Sequence, residues 1–452
     1  MKQVRIIGGG LAGSEAAWQL ARRGVRVELF EMRPEKTTDA HTSAYLGELV
    51  CSNSLRSKSL TAPAGLLKEE MRRLDSVVLR VAEENSVPAG SALAVDRTHF
   101  AQALTDAIET LPNVTPIRRE LSDIPPGIVI VATGPLTSPA LSQRLTEMLG
   151  AEHLYFYDAI SPIVTADSID MAVAYSASRW GKDGDDYLNL PMTREQYERF
   201  VDGLLAAERV PTHSFERFVP FEGCMPIEEM ADRGRETLSY GPMRAVGLID
   251  PRTGKRPYAV VQLRQENREK TLYNLVGFQT KMTYTAQRRV FGFIPGLERA
   301  EFVRLGSMHR NTFIDSPKHL KPTLQWRQRE DLFFAGQMTG VEGYIESAAT
   351  GLLAGINAAL LLGAKEPAVP PATTALGALL RYITEERKSF QPMNVSYGLL
   401  PSLHNRLRGR DKKEMMARRA LADMDSWASQ IDQTRDTADT TLVTSISCAV
   451  AE

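Results

Sequence analysis

The sequence predicts an α/β fold built on a parallel, nucleotide-binding sheet, because a hydrophobic strand that runs into glycines occurs three times in its 452 residues. The three units lie at residues 4–13, 127–134 and 331–343. A glycine turn after a parallel strand brings backbone N–H groups and the start of a helix close to a bound phosphate. Three units in this order favour one nucleotide-binding domain whose parts are spread along the chain.

The first unit fits the fingerprint G-x-G-x-x-G through Gly8, Gly10 and Gly13, with Gly9 inside it. The first glycine allows a tight turn, the second admits a pyrophosphate close to the backbone, and the third lets helix and strand pack. A helix is predicted at 14–23, and a second strand at 25–30 leads to Glu31. A carboxylate in that position accepts hydrogen bonds from a ribose, so this unit predicts dinucleotide binding.

The second and third strand–glycine units are predicted to contribute further residues to the same dinucleotide-binding site. The second ends in Ala132-Thr133-Gly134, and the third ends in Gly336-Gln337 before a helix predicted at 346–359. A helix N-terminus there points its N–H groups at an anion or a polarised ring edge. Together the units predict a FAD-binding, Rossmann-like domain of the two-dinucleotide type. The candidate cofactor contacts in these two units are Ala132, Gly134, Gly336, Gln337, Gly343, Tyr344 and Glu346.

The composition changes between the second and third units, which predicts an inserted domain. Residues 166–274 are richer in charge and turns, with a helix predicted at 193–208 and a strand at 258–263. We therefore divide the FAD-binding domain into 1–165 and 275–365, around an α/β insertion at 166–274. A Pro/Ala-rich link at 367–371 opens a helical C-terminal segment at 366–433, and the tail at 434–452 is predicted to be disordered.

Composition excludes several classes of protein. A net charge of −1 gives no global sign of a nucleic-acid partner, so any surface for a polyanion must be local. No run of 18 apolar residues occurs and the N-terminus does not read as a signal peptide, so no membrane span or export is expected. Three cysteines are too few for a disulfide framework or a cysteine-rich metal site. We expect a cytoplasmic protein without a metal centre.

Two of the cysteines lie in settings that favour chemistry. Cys51 precedes Ser52, Asn53 and Ser54, which are good N-cap residues, so a helix is expected to start just after it. Cys224 precedes Pro226 and two glutamates, a pattern that opens helices and places Cys224 at or next to the N-cap. A helix N-terminus raises the thiolate fraction of a cysteine, while neighbouring glutamates oppose this effect. The alternative is that each cysteine is a small buried hydrophobic residue.

Four motifs carry a resemblance to a known family. They are ELVCSNS at 48–54, FEGCMPIE at 221–228, GSMHRNT at 306–312 and GYIESAATG at 343–351. Through them the chain, over roughly residues 1–405, closely resembles the bacterial folate- and FAD-dependent tRNA (uracil-5-)-methyltransferases. It also resembles, more loosely, the FAD subunit that modifies wobble uridines, but that family lacks the two cysteine motifs as they stand in this chain.

The resemblance implies a reaction. In this family 5,10-methylenetetrahydrofolate supplies the carbon, NAD(P)H the electrons, and FAD mediates the transfer to C5 of uridine 54 in the T loop of tRNA. A thiolate that adds to C6 of uracil makes C5 nucleophilic, and a base then removes the C5 proton. We expect Cys224 to be this nucleophile and Cys51 to act near the flavin, although the two roles could be exchanged. His309, expected in a turn, is implied to stack on the pterin ring, with Arg310 and Asn311 at its edge.

The RNA surface and the exact substrate are less visible in the sequence. Seven basic residues in 406–419 are a candidate phosphate-binding patch, or simply a solvated face. Trp180, Tyr187 and Tyr284 could stack on bases, but nothing in the sequence distinguishes them from core residues. Three alternatives stay open: the same chemistry on ribosomal RNA, a NAD(P)H-dependent flavin oxidoreductase without an RNA substrate, and a flavin-bearing RNA-binding protein with a structural cofactor.

Overall fold

The computed structural model describes residues 3–38, 40–150, 154–181, 184–210, 225–387, 390–403 and 407–433. Cys224, Cys448, Arg406 and the tail at 434–452, on which several predictions fall, lie outside these ranges. The described residues form four sheets and thirteen α-helices.

The strands of the described part are numbered in chain order. They are β1 (Gln3–Ile7), β2 (Arg26–Glu31), β3 (Ser54–Ser57), β4 (Ser86–Val87), β5 (Ala92–Val95), β6 (Val114–Arg118), β7 (Val129–Val131), β8 (Leu154–Ala159), β9 (Ile163–Thr165), β10 (Tyr175–Ser176), β11 (Tyr187–Met192), β12 (Ala259–Gln265), β13 (Leu272–Leu275), β14 (Phe302–Arg304), β15 (Met308–Phe313), β16 (Gln325–Trp326) and β17 (Arg329–Phe334).

The helices follow the same order. They are α1 (Leu11–Ala21), α2 (Pro63–Arg73), α3 (Val77–Glu84), α4 (Arg97–Glu109), α5 (Pro139–Leu149), α6 (Arg194–Leu205), α7 (Ile227–Asp232), α8 (Thr237–Tyr240), α9 (Tyr284–Phe291), α10 (Ser316–His319), α11 (Tyr344–Leu362), α12 (Ala375–Thr384) and α13 (Gly409–Gln433).

The first sheet has the order β16-β17-β7-β1-β2-β6, and all its strands except β16 are parallel. The central strand β7 is wholly apolar and buried, and the neighbouring β1 is buried at Val4, Ile6 and Ile7, as expected where helices cover both faces. The three strands that end in glycine turns, β1, β7 and β17, are direct neighbours, so their carboxyl ends share one edge of the sheet. This arrangement confirms the predicted Rossmann-like, nucleotide-binding α/β fold.

Helices α1 and α11 pack closely against each other beneath the glycine turns. A Cβ added at Gly351 would overlap the Ala12 carbonyl, and one at Gly355 would lie 2.7 Å from the Ala16 carbonyl. Helix α11 is long and apolar enough to span a membrane by composition, but 78% of that stretch is buried inside the protein. We therefore assign α11 as a core helix whose glycines allow the contact with α1.

The second sheet is antiparallel, with the order β10-β11-β12-β13-β9-β14. One face packs against α6 and α9 through a core that includes Phe200, Phe278 and Phe291. Along β12, Gln262 and Arg264 lie on the opposite face, because side chains alternate along a strand. The predicted domain boundaries at 166 and 274 stay predictions, and the second sheet includes β9 and β14 on either side of them.

The remaining elements join the two sheets and cover the first. A three-stranded sheet, β3-β5-β4, follows Cys51, and β8 pairs with β15 as a two-stranded ribbon. The C-terminal helices α12 and α13 pack beside α2. Glu70 of α2 accepts hydrogen bonds from Ala375 N (2.7 Å) and Leu376 N (2.9 Å), so a buried carboxyl satisfies the first N–H groups of α12.

Candidate active site

The glycines in the turn after β1 have two different roles: two are required by close backbone packing, and one faces open space. Gly8 has φ +104°, and an added Cβ would lie 2.6 Å from the Ala132 carbonyl. A Cβ at Gly13 would overlap the Gly8 carbonyl, whereas one at Gly10 would meet nothing within 4 Å. Gly8, Gly13 and Ala132 therefore shape the turn, and Gly10, the N-cap of α1, leaves room beside the helix N-terminus.

Glu31 lies at the end of β2, beside this turn, as predicted. Its Oε2 accepts the Gly9 N–H at 2.8 Å, and its Oε1 pairs with the buried Arg33 Nε at 2.8 Å. Burial by itself raises the pKa of Glu31, but the hydrogen bond and charge of Arg33, with the Arg33 and Gly9 N–H groups, lower it below its ordinary value. Arg33 also pairs with Glu48 at 3.1 Å, so the first cysteine motif is tied to the cofactor turn.

Two neighbouring cavities follow the edge of the first sheet, and Leu136 lines both. The smaller cavity, of about 80 Å³, lies at Gly8, Gly10 and Glu31. The larger, of about 220 Å³, is the Cys51 cavity. Six predicted site residues line the Cys51 cavity: Cys51, Asn311, Gln337, Gly343, Tyr344 and Glu346. The structure thus brings together candidates from three separate parts of the chain.

The remaining predicted glycines stand at turns along this edge. Gly134 and Gly336 have φ values of +66° and +81°. The Gly336 N–H donates to Thr350 Oγ1 at 2.8 Å, and a Cβ at Gly134 would meet nothing within 4 Å. Gln337 Nε2 donates to Glu342 Oε2 at 2.6 Å.

The Cys51 backbone is held by Tyr344. The Tyr344 hydroxyl accepts hydrogen bonds from the backbone N–H groups of Cys51 (2.8 Å) and Ser52 (3.1 Å). The Cys51 thiol donates to the Ala159 carbonyl, with Sγ 3.8 Å from the oxygen. Burial, followed by the charge of Cys51, raises the pKa of the Tyr344 hydroxyl. Tyr344 therefore stays neutral and fixes the position of the cysteine.

Two partly buried arginines, which the sequence did not predict, lie within electrostatic reach of Cys51. Arg97 donates to the Leu49 carbonyl and pairs with Glu266 at 2.9 Å. Burial lowers the pKa of Arg97, while the charge and hydrogen bond of Glu266 raise it above its ordinary value, and Cys51 is a further electrostatic partner. Burial, with the charge of Arg97, lowers the pKa of Arg304. Both guanidinium groups therefore add positive charge to the surroundings of Cys51.

A third arginine, Arg264 of β12, connects the second sheet to the loop that follows Cys51. Its Nε donates to Asn53 Oδ1 and its terminal nitrogen to Ser52 Oγ, both at 2.8 Å. Asn53 Nδ2 donates in turn to the Val95 and Gln265 carbonyls at 3.0 Å. The helix predicted to start after Cys51 is therefore wrong: Ser52 and Asn53 bond distant partners, and strand β3 follows.

Two buried polar atoms in the wall of the Cys51 cavity have no protein partner. Glu346 Oε2 and Asn311 Nδ2 are both buried without a hydrogen bond among the described residues. The other oxygen of Glu346 accepts from Arg56 (3.2 Å) and from Val395 N (3.1 Å). Leaving such groups unpaired is costly, and both belong to residues that line the Cys51 cavity, which fits a bound molecule with polar edges.

Cys224 lies outside the described residues, but the chain that follows it contacts a residue that lines the same cavity. Helix α7 begins after Pro226, as predicted, and the Ile227 N–H donates to the Gln279 carbonyl at 2.7 Å. Gln279 lines the Cys51 cavity. The buried Glu228 accepts from Thr280 Oγ1 at 2.9 Å and from Lys281 N at 2.6 Å, which fixes the first turn of α7 there.

His309 and Arg310 lie in strand β15, opposite Asp158 and Tyr157 of β8. The turn predicted for His309 is therefore wrong, because residues 308–313 pair with a strand about 150 residues earlier in the chain. The side chains of His309 and Arg310 lie outside the described structure. Asn311, the next residue, lines the Cys51 cavity.

Comparison with known proteins gives concordant matches. A family model described as glucose inhibited division protein A matches residues 3–366. The methylenetetrahydrofolate–tRNA-(uracil-5-)-methyltransferase TrmFO of Geobacter sulfurreducens is 58% identical over 431 residues, which are 95% of this chain and 99% of that protein. The protein of the same name from Moorella thermoacetica is 59% identical over 422 residues, 93% of this chain and 97% of that one.

The fold also matches a solved structure. The structure of Aquifex aeolicus GidA, in its form II crystal, has a TM-score of 0.71 and 17% identity, and the match covers 99% of this chain and 76% of that one. At this identity the likeness concerns the fold alone.

Proposed function

The chain belongs to the glucose inhibited division protein A family and, within it, to the methylenetetrahydrofolate–tRNA-(uracil-5-)-methyltransferases, and on this premise we propose that it methylates C5 of uridine 54 in the T loop of tRNA. The carbon comes from 5,10-methylenetetrahydrofolate and the electrons from NAD(P)H. The products are 5-methyluridine, tetrahydrofolate and NAD(P)⁺. The observation that carries the proposal is the Cys51 cavity, which adjoins the cavity at the nucleotide turn and has a free cysteine in its wall.

The residues of the turn fit FAD. Gly10 leaves space at the N-terminus of α1, where N–H groups and the helix dipole attract a pyrophosphate. Glu31 is an ionised ribose acceptor, and Gly134 and Gly336 form turns at the same sheet edge. Gln337, Gly343 and Tyr344 line the cavity that holds Cys51. When bound, FAD supplies the redox link between NAD(P)H, the folate carbon and the uridine.

The Cys51 cavity fits the reacting ends of folate and uracil. Glu346 Oε2 accepts and Asn311 Nδ2 donates, which suits the polar edge of a pterin. Arg97 and Arg304 lie within electrostatic reach of Cys51, and Cys51 is proposed to hold the one-carbon unit or to move a proton near the flavin. Cys224 is proposed as the thiolate that adds to C6 of uracil, since the helix after it is anchored at this cavity. His309 and Arg310 are proposed pterin contacts on the family resemblance.

The proposal is tested with unmodified tRNA, methylenetetrahydrofolate and NAD(P)H, followed by nucleoside analysis. We expect 5-methyluridine at the T loop with the wild type only when folate and reductant are both present. Cys51→Ala and Cys224→Ala should each abolish the product while flavin absorbance is retained, and Cys448→Ala is the matched control that keeps activity. A flavin-loaded wild type that forms no 5-methyluridine in tRNA contradicts the proposal.

Ribosomal RNA is the second substrate to offer in the same assay. Product on ribosomal RNA alone would assign the same chemistry to another RNA. Reductant consumption without a product in either RNA would leave a flavin oxidoreductase. We place the enzyme in the cytoplasm, where tRNA is available and a free thiol such as Cys51 stays reduced.

A further inference from the structure

We propose that Trp180 and its neighbouring arginine Arg244 form a stacking platform for an unpaired nucleotide of the RNA substrate, on the sheet face that carries Arg264. We call these residues, with the loop 246–256 that supports and extends them, the Trp180 platform. The inference deepens the proposed function and rests on it, because the occupant is the RNA that is methylated.

Trp180 is exposed in a way that the other tryptophans are not. Its side chain is 67% exposed, while Trp18, Trp326 and Trp427 are at most 7% exposed. An indole left in water loses a large hydrophobic gain, so a singly exposed tryptophan is enriched at binding surfaces. Tyr187, another candidate from the sequence, is half-buried, and its hydroxyl donates to the Ala89 carbonyl.

The backbone of Trp180 is hydrogen-bonded to Gly247, and its indole ring lies against that glycine. Trp180 has φ +64°, a left-handed conformation that is uncommon for a bulky residue, and its backbone N–H donates to the Gly247 carbonyl at 2.8 Å. A Cβ added at Gly247 would lie 2.9 Å from the indole ring, so only glycine lets the ring lie against the backbone there. One side of the indole ring is therefore packed against Gly247, and the remainder of the ring is exposed to solvent. A fixed aromatic surface stacks on a base with little loss of conformational freedom.

The platform is cationic. Arg244 is exposed. The pKa of Arg179 is lowered mainly by burial and, second, by the nearby positive charge of Arg244. The exposed loop continues through Arg252, Lys255 and Arg256. Asp250 in this loop pairs with Arg252 at 3.0 Å, and Asp186, beyond the turn, accepts the Gly90 N–H at 2.7 Å. The excess of basic residues complements a phosphate backbone, and base stacking beside cations is the usual mode for unpaired RNA.

The Trp180 platform lies on the same face of the second sheet as Arg264, which hydrogen-bonds the loop that follows Cys51. Arg179, adjacent to Trp180, donates to Gln262 Oε1 at 2.8 Å and to the Val246 carbonyl at 2.9 Å. Gln262 lies two residues from Arg264 on the same face of β12, a distance of roughly 7 Å along the strand. Arg264 bonds Ser52 and Asn53, next to Cys51. We place the stacked nucleotide on this sheet face and the uridine extruded from the RNA in the Cys51 cavity.

The experiment measures binding of unmodified tRNA to FAD-loaded Trp180→Ala, Trp180→Phe and wild-type protein. Loss of one base stack weakens binding by about five- to hundredfold in Trp180→Ala, and phenylalanine restores part of it. Since stacking is uncharged, Trp180→Ala leaves the salt dependence of Kd unchanged. Arg244→Ala lowers the slope of log Kd against log salt by about one. In the wild type, tRNA shields the exposed tryptophan from acrylamide quenching of its emission.

The matched control is Tyr284→Ala, which removes an exposed aromatic from α9, the helix on the opposite face of the second sheet. Its tRNA affinity should equal that of the wild type. Unchanged affinity in Trp180→Ala, or an equal loss in Tyr284→Ala, overturns the platform. NAD(P)H-dependent flavin reduction without RNA checks that the variants are intact. Failure of the wild type to methylate any RNA is a separate result that overturns the proposed function instead.

Discussion

The glycines of the fingerprint differ in what they make room for, although they share one motif. Gly8 and Gly13 make room for the protein itself, since a side chain at either would strike backbone atoms. Gly10 makes room for something else, because a side chain there would meet no protein atom within 4 Å. Its φ of −72° is also accessible to any residue. The consequence is that substitution at Gly10 should separate cofactor binding from folding.

We expect Gly10→Val to fold but to purify without flavin. A branched side chain beside the N-terminus of α1 overlaps the space that we assign to the pyrophosphate. Overlap of this kind costs about 3 kcal/mol, which is roughly a hundredfold in affinity. The measurement is flavin absorbance after purification, together with the Tm of the variant against wild-type protein stripped of FAD.

Gly13→Ala is the comparison for this prediction. Its added methyl group overlaps the Gly8 carbonyl, so the variant should lose thermal stability as well as flavin. If Gly10→Val purifies with a full complement of flavin, the pyrophosphate does not lie at this turn.

At the scale of elements, α12 is docked by a carboxyl buried in another helix. Thr374 caps α12 by accepting the Gly377 N–H at 2.9 Å, and Glu70 of α2 accepts the N–H groups of Ala375 and Leu376. Three of the four N–H groups that a helix leaves unpaired are thereby satisfied. Burial raises the pKa of Glu70 to about 8, against the effect of these hydrogen bonds.

The docking of α12 should make stability fall as pH rises through neutrality. In the unfolded chain Glu70 loses its proton near its ordinary pKa of about 4.3, while the folded protein retains it up to about 8. Between these values the folded state holds a proton that the unfolded state has lost, so the free energy of unfolding decreases with pH. Glu70→Gln cannot titrate, and this part of the decrease, on the order of a few kcal/mol, should disappear.

Chemical denaturation at pH 5, 6, 7 and 8 measures the effect. Glu70→Gln should be less stable than the wild type at pH 5 and gain on it with each step upward. Glu69→Gln, which alters the neighbouring carboxylate paired with Arg72 and Arg73, is the control and should follow the wild-type slope. Parallel curves for the wild type and Glu70→Gln would contradict a raised pKa.

At the scale of the whole molecule, what could be predicted from sequence was local. The strand–glycine units depend on contacts within a few residues, so the Rossmann-like fold and the turns at Gly8, Gly134 and Gly336 could be predicted. Asn53 could not, because its partners Val95, Arg264 and Gln265 lie 42 to 212 residues away. The same holds for His309, whose strand partner is far along the chain. Contacts between residues far apart in the chain override the local preferences for helix caps and turns at these positions.

The arginines around Cys51 were missed for the same reason. Arg97, Arg264 and Arg304 come from three separate elements and share no spacing in the sequence. Only the fold shows that they converge on one loop, and no single-sequence pattern distinguishes them from surface arginines. The cysteine motif could mark Cys51 as a candidate, but not the charges that surround it.

Arg264 connects the second sheet to the loop that follows Cys51, and we expect its removal to lower methylation. Arg264→Met keeps the length and apolar bulk of the side chain but leaves Ser52 Oγ and Asn53 Oδ1 without this donor. Unpaired buried acceptors cost about 1–3 kcal/mol, so the loop should shift or loosen. A misplacement of about 1 Å lowers rates by as much as a hundredfold, and methylation should fall by about ten- to hundredfold.

Three readouts separate this effect from general damage. Flavin content should stay at the wild-type level, because the glycine turn and Glu31 belong to the first sheet. Alkylation of Cys51, followed by mass spectrometry of its peptide, should change in rate as the loop moves. Arg268→Met is the matched control: Arg268 also joins the two parts of the molecule, but it bonds Glu84 and Asn85 instead of the Cys51 loop. Equal loss of methylation in both variants would show that Arg264 stabilises the molecule generally and does not position Cys51.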